Sequence, residues 1–174
     1  MSEILPISQL GATILRQRAQ EISDLRQSDI QQLIGDLIKT VKSAQGVGIA
    51  APQVDRSYRL IVVASRPNSR YPQAPKMRPT AMINPQIIAH SDEIVKGWEG
   101  CLSVPGIRGL VPRYQEIEIE YLNRKGLVKT QVFRDFVARI CQHEIDHLEG
   151  IVFTDRVEIE AEIITEAEYN RSHS

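Results

Sequence analysis

The chain lacks a long apolar run, an excess of either charge, an internal repeat and any cysteine framework. Nothing in its 174 residues approaches the ~20 consecutive apolar residues needed to cross a bilayer. Its opening, Met1-Ser2-Glu3-Ile4-Leu5-Pro6, has no basic stretch followed by an apolar segment. It does not read as a secretion signal, nor does it have the Arg-rich, acid-poor character of a transit peptide. A cytoplasmic protein without membrane contact is the expectation. Lys and Arg total 21 against 22 Asp and Glu, for a formal net charge of −1. That balance excludes bulk electrostatic capture of nucleic acid, and no specific nucleic-acid binding is expected. The only cysteines are Cys101 and Cys141. In a reducing compartment such thiols read as ligands, nucleophiles or core filler. What is present is 42% hydrophobic residues, enough for one ordinary core and a single domain over residues 1–174.

Residues 8–20 read as a short turn and an arm. Over residues 25–43, Ile30, Leu33, Ile34, Leu37, Ile38 and Val41 share one helical stripe. The segment Gly46-Val47-Gly48-Ile49-Ala50-Ala51-Pro52-Gln53 follows, then Leu60-Ile61-Val62-Val63, a short buried strand. Residues 65–79 hold four prolines and four basic residues, which predicts a solvated surface loop. Ala81 to Ile88 is a further strand. Residues 115–122 alternate, with Ile117, Ile119 and Tyr121 opposite Glu116, Glu118 and Glu120. A turn at residues 123–126 and a return over 127–133, with Val128, Thr130 and Val132 on one face, complete a β-hairpin with one wet side. A helix spans Asp135 to Leu148 and is closed by Gly150. Thr165 and Glu168 have capping-box spacing and start a short terminal helix. This order predicts an α+β fold.

His143-Glu144-Ile145-Asp146-His147 is the strongest local signal. Two histidines four apart on a helix share a face, about 6 Å apart along the axis, and can bind one metal ion. At about 100° per residue, Asp135, Arg139, Gln142, Asp146 and Glu149 gather in a polar stripe. Phe136, Val137, Ile140, Cys141, Ile145 and Leu148 spread over the opposite side. Glu144 and His147 fall inside that apolar arc and His143 at its edge. A carboxylate turned towards a core is costly unless something pairs with it, and a divalent cation accounts for all three residues together. Phe136 and Ile140 share the azimuth of the histidines and form an apolar wall beside the metal. Cys141 falls away from it and reads as small core.

A catalytic site of this kind needs a third protein ligand and one open position. Cys101 stands in Glu99-Gly100-Cys101-Leu102-Ser103 and is either that ligand or inert core. Together, Gly46 to Gln53, Glu99 to Ser103 and Gln142 to His147 resemble the three ordered signature motifs of the bacterial type 1 peptide deformylase family. Leu15-Arg16 and the stretch from Val104 to Arg113 are also similar, so the likeness runs through nearly the whole chain.

The resemblance implies a fold of antiparallel sheets packed around a central metal-binding helix. It implies a single catalytic domain that hydrolyses the formyl group from the N-terminal formyl-methionine of nascent polypeptides. It also implies one divalent metal on Cys101, His143 and His147, with Fe(II) expected and zinc, nickel or cobalt as substitutes. Glu144 is the implied general base, and the Gln53 side chain and Leu102 N–H are the implied oxyanion donors. The substrate strand is implied beside Val47 and Gly48, with the methionine side chain against Phe136 and Ile140. The nascent chain and the ribosome near its exit tunnel are the implied partners. Glu99 and Arg113 are a candidate supporting ion pair.

Two other classes compete. A zinc endopeptidase would use Glu166 as a downstream ligand, but 174 residues leave little room for a second lobe. A structural metal site would need four protein ligands and would leave Glu144 without a purpose.

Overall fold

A computed structural model describes residues 1–174. After a short 3-10 turn at Thr13–Arg16, the chain forms helix α1 (Ser28–Ser43) and strands β1 (Gly48–Ala50) and β2 (Leu60–Val63). Strands β3 (Thr80–His90), β4 (Ile94–Cys101), β5 (Val104–Tyr114), β6 (Glu116–Leu122) and β7 (Val128–Arg134) follow. Helix α2 (Asp135–Leu148), strand β8 (Ile163–Thr165) and helix α3 (Glu166–Ser172) complete the chain. One sheet runs β1-β2-β3-β6-β7 and the other β4-β5-β8, with every pairing antiparallel. This is the expected α+β arrangement of antiparallel sheets around a central helix. No helix is long and apolar enough to cross a membrane.

The larger sheet is covered on both faces, which explains why β2 is apolar throughout. Ile61 and Val63 pack with Ile140, Cys141 and Leu148 of α2. Leu60 and Val62 pack with Ile30, Leu33, Ile34, Leu37 and Val41 of α1. Successive side chains of a strand point to opposite faces, so burial on both sides demands an unbroken apolar run. A smaller cluster of Cys101, Val104, Val111, Val152 and Phe153 lies against the second sheet.

The ends of α2 and α3 follow local chemistry. Gly150 takes a positive φ of 73°, and a Cβ there would lie 2.7 Å from the Arg16 carbonyl, so only glycine closes α2 against the N-terminal arm. The Thr165 hydroxyl oxygen accepts from the Glu168 amide at 3.1 Å and caps α3.

The hairpin forms as expected, but the β7 valines lie on its wet face. Val132 pairs with Glu118 and Val128 with Leu122, while Phe133 pairs with Ile117. Directly paired residues share a face, so Val128 and Val132 are 65% and 43% exposed and Phe133 enters the core. Strands β4 and β5 have no sequence signal of their own. Four glycines (97, 100, 106 and 109) interrupt the Ile94–Tyr114 stretch, and there is no clean alternation. They pair as a hairpin across Leu102 and Ser103, and Arg139 of α2 donates to carbonyls of both strands.

Candidate metal centre

Helix α2 presents His143 and His147 on one face with ring centroids 5.1 Å apart. Cys101, the last residue of β4, faces them, with Sγ 3.3 Å from His147 Nε2. One thiol and two imidazole donors, all buried, lie within 4.8 Å of one another. Glu99 reaches the far side of His143, its carboxylate 2.8 Å from Nδ1. A carboxylate only accepts, so Nδ1 carries the proton and Nε2 keeps a lone pair for a cation.

A buried ionic network holds this arrangement from behind. Arg113 donates from Nε and Nη2 to Glu99, both at 2.9 Å, and from Nη1 to Asp146 at 2.6 Å. Arg139 donates to Glu99 at 2.8 Å, and Arg156 donates to Asp146 at 2.8 Å. The Glu99–Arg113 pair expected from sequence is therefore formed. Burial alone would raise the Glu99 pKa, but Arg113 and the hydrogen bonds from His143 and Arg113 hold it well below the usual carboxylate range.

The fate of the α2 polar stripe departs from a surface-helix reading. Gln142 and Asp146 are buried. Gln142 bonds both the amide and the carbonyl of Tyr114, at 3.0 and 2.9 Å. The middle of the stripe, Gln142 and Asp146, is polar because it meets β5 and its arginine, while Asp135 and Glu149 at the helix ends are exposed.

Glu144 is buried, and burial pushes its pKa up to about 7. Its Oε2 has no hydrogen-bond partner in the chain. Gly48 leaves the space in front of it: a Cβ there would lie 2.7 Å from both Glu144 Oε1 and Ile140 Cγ2. Gln53 sits in a short 3-10 turn after β1. Its Oε1 accepts from the Ala50 amide at 2.9 Å, so its Nε2 points towards Ser103 Oγ (3.1 Å) and Cys101 Sγ (3.5 Å). Leu102 lies in the turn between β4 and β5, and its side chain approaches Gly46. The donor set, the anionic Glu99 and the unpartnered Glu144 oxygen together fit a divalent cation with a water beside it.

The site residues expected from sequence converge on one cleft. Val47, Gly48, Gln53, Cys101, Leu102, Phe136, Ile140, His143 and Glu144 line it, and the buried His147 completes the donor triad with Cys101 and His143. Cys141 lies elsewhere in the core, as expected, with its thiol pKa pushed up by burial. Glu166 is not at the centre. It is bound to Arg108 through two hydrogen bonds of 2.7 and 2.8 Å, which removes the ligand an endopeptidase reading requires.

Four cleft residues had no functional assignment from sequence: Arg70 and Tyr71 from the proline-rich segment, Trp98 from β4 and Arg139 from α2. The one available signal was an aromatic residue placed among closely spaced prolines.

A family model described as polypeptide deformylase matches residues 4–162. The chain belongs to this family. A peptide deformylase 2 from a Nostoc species is 64% identical over 96% of this chain and 93% of its own length. Among solved structures, a class I type b peptide deformylase from Acinetobacter baumannii with bound Met-Ala-Ser superposes with a TM-score of 0.87. It is 46% identical and covers 90% of this chain and 100% of its own. A peptide deformylase from Synechococcus elongatus in complex with actinonin has a TM-score of 0.81 at 34% identity, covering 93% of this chain and 85% of its own. The deformylase fold and the three donors therefore occur together in this chain.

Proposed function

We propose that residues 1–174 form one deformylase catalytic domain that removes the formyl group from the N-terminal formyl-methionine of nascent polypeptides. The observation that carries this is the convergence of Cys101, His143 and His147 beside a buried carboxylate with a free oxygen. Cys101, His143 and His147 would hold a divalent ion, which when bound would supply Lewis acidity and lower the pKa of a water. Glu144 accepts the proton as the water oxygen adds to the formyl carbon. The side-chain amide of Gln53 and the main-chain N–H of Leu102 donate to the oxygen that gains charge. Glu144 then delivers the proton to the methionine nitrogen as the C–N bond breaks, and formate and a free amine leave.

Val47 and Gly48 pair with the substrate main chain. That mode reads little of the sequence beyond the first residue. Phe136 and Ile140 receive the methionine side chain, whose flexible thioether suits an apolar wall. The same reading places the enzyme in the cytoplasm, near the ribosomal exit tunnel where formylated chains emerge.

Incubation with formyl-Met and unformylated peptides tests the reaction. Stoichiometric formate from the first and no internal cleavage of the second is the expected result; the opposite pattern rules the proposal out.

Fe(II) is the proposed native metal, and it makes a distinct prediction. A thiolate beside a redox-active ion presents two oxidisable centres. Activity of the iron-loaded protein should decay on exposure to air or peroxide, and nickel or zinc substitution should protect it against metal oxidation. Iron-loaded protein that stays fully active for days in air would rule out the iron assignment.

A further inference from the structure

The proline-rich segment is an irregular loop, as expected, and most of its residues are exposed, but it is anchored to the body of the protein at several points. Ser65 and Ala74 are buried, and the Ser65 hydroxyl donates to the Pro75 carbonyl at 2.6 Å. Asn68 Oδ1 accepts from the amides of Arg70 and Tyr71 at 2.8 and 2.9 Å, folding the tip into a tight turn. The four prolines further restrict the unfolded chain.

Tyr71 is at that tip, fixed by three contacts of different chemistry. Its hydroxyl oxygen accepts from the Gly100 amide at 3.1 Å, next to Cys101. Its ring centroid lies 5.3 Å from that of Phe136. Behind it, the Arg108 guanidinium sits 4.7 Å from the ring centroid. Arg108 is 1% exposed and is sandwiched by Tyr169 of α3 at 4.6 Å. Nε and Nη2 grip Glu166, and Nη2 also donates to the Arg70 carbonyl at 3.2 Å. Its buried Nη1 has no hydrogen-bond acceptor. Two aromatic faces around the cation account for that orphan, because they stabilise positive charge without an acceptor atom.

We propose that Tyr71 is a specificity-determining residue for the first side chain of the substrate, and that Arg108, anchored by Glu166 on α3, is its positioning residue. This rests on the deformylase reading of the cleft. Phe136 and Ile140 on α2 form one wall of the apolar pocket and Val47 before β1 forms another. The Tyr71 ring, tilted against Phe136, closes the outer side. Without it the far end of a methionine side chain faces water, whereas the methyl of an alanine, which stops short of the ring, is unaffected. Methionine then loses its advantage over shorter residues. The short C-terminal helix thus takes part in selectivity through the Glu166–Arg108–Tyr71 chain, without reaching the cleft itself.

The test compares kcat/KM for formyl-Met and formyl-Ala tripeptides on the metal-loaded protein. Tyr71→Ala should lower the Met-to-Ala ratio by about ten-fold or more, since each lost contact in an apolar pocket is worth roughly 10–200-fold in discrimination. The change should appear mainly in KM, with metal content retained. Tyr71→Phe keeps the ring and should keep the ratio. Arg108→Met should lower the ratio in the native background and add nothing in the Tyr71→Ala background, because the two act through one contact. Binding of the product tripeptides, followed through Trp98, the only tryptophan and itself a cleft residue, gives a readout that needs no turnover. An unchanged Met-to-Ala preference in Tyr71→Ala, in kinetics and in Trp98 fluorescence, overturns the proposal. Additive effects of the two substitutions overturn the role of Arg108. Failure to release formate from either substrate defeats the deformylase reading instead, and the fluorescence comparison still decides the role of Tyr71.

Discussion

Glu144→Gln should retain the metal and lose roughly 10²–10⁴-fold in kcat, the usual contribution of a positioned general base. The amide fills the same space between Gly48 and Ile140, where the Glu144 carboxylate leaves no room even for a glycine's missing Cβ. It can hydrogen-bond a water but cannot take its proton. Metal analysis should be unchanged, because the three donors come from Cys101, His143 and His147. The metal-free protein offers an independent check of sign. Burial raises the folded pKa of Glu144 to about 7 from an ordinary value of 4.5, so the folded state disfavours the ionised form. That penalty is absent below the unfolded pKa, grows as pH rises between the two values and is complete above the folded one. Metal-free Glu144→Gln should therefore melt above the parent protein at pH 8, and the gap should close at pH 4. Equal turnover in the variant, or a variant less stable at pH 8, would contradict this account of Glu144.

Cys101→Ala should abolish activity and sharply weaken metal retention, by more than the ~10–100-fold typical of losing a mere outer-shell partner. The thiol is the only sulfur within reach of the two imidazoles. A cobalt-substituted protein should show a sulfur-to-metal charge-transfer band that disappears in this variant. Glu166→Ala should leave the metal in place, because Glu166 is engaged with Arg108 and contributes no ligand atom. Cys141→Ala is the control, costing only packing stability in the core between α2 and the larger sheet. Metal loss on removing Cys141 or Glu166, with retention on removing Cys101, would overturn the assignment of the site.

The elements legible in the sequence are those set by local periodicity. The four-residue spacing of His143 and His147 places two imidazoles on one face wherever that helix packs, so the chemistry of α2 is a local property. The apolar arc around Glu144 and the position of Cys141 within it follow from the same 3.6-residue repeat. Strand β2 and the β6–β7 hairpin are equally local, and so are the ends of α2 at Gly150 and of α3 at Thr165. Cys101 was different: its spacing left ligand and inert core both open, and only the resemblance of three ordered motifs joined it to the histidines.

What the sequence by itself determined, then, was the helix that puts two imidazoles on one face, the α+β class and, through the three ordered motifs, Cys101 as the candidate third donor. Tertiary structure alone decided what each polar or apolar face meets. Gln142 and Asp146 belong to a polar stripe, yet β5 brings Arg113 and Tyr114 against them and buries these two. Val128, Thr130 and Val132 share a face in the sequence, but only the register of β7 on β6 makes that face the wet one. Residues 65–79 have the composition of a surface loop, yet a cation buried between Tyr71 and Tyr169 draws the loop tip into the cleft. The first and last of these outcomes depend on a partner far away in the chain. The Arg108–Arg70 contact spans 38 residues and the Arg108–Glu166 pair 58. Periodicity reports which residues share a face; which surface that face is pressed against is settled only when distant segments meet.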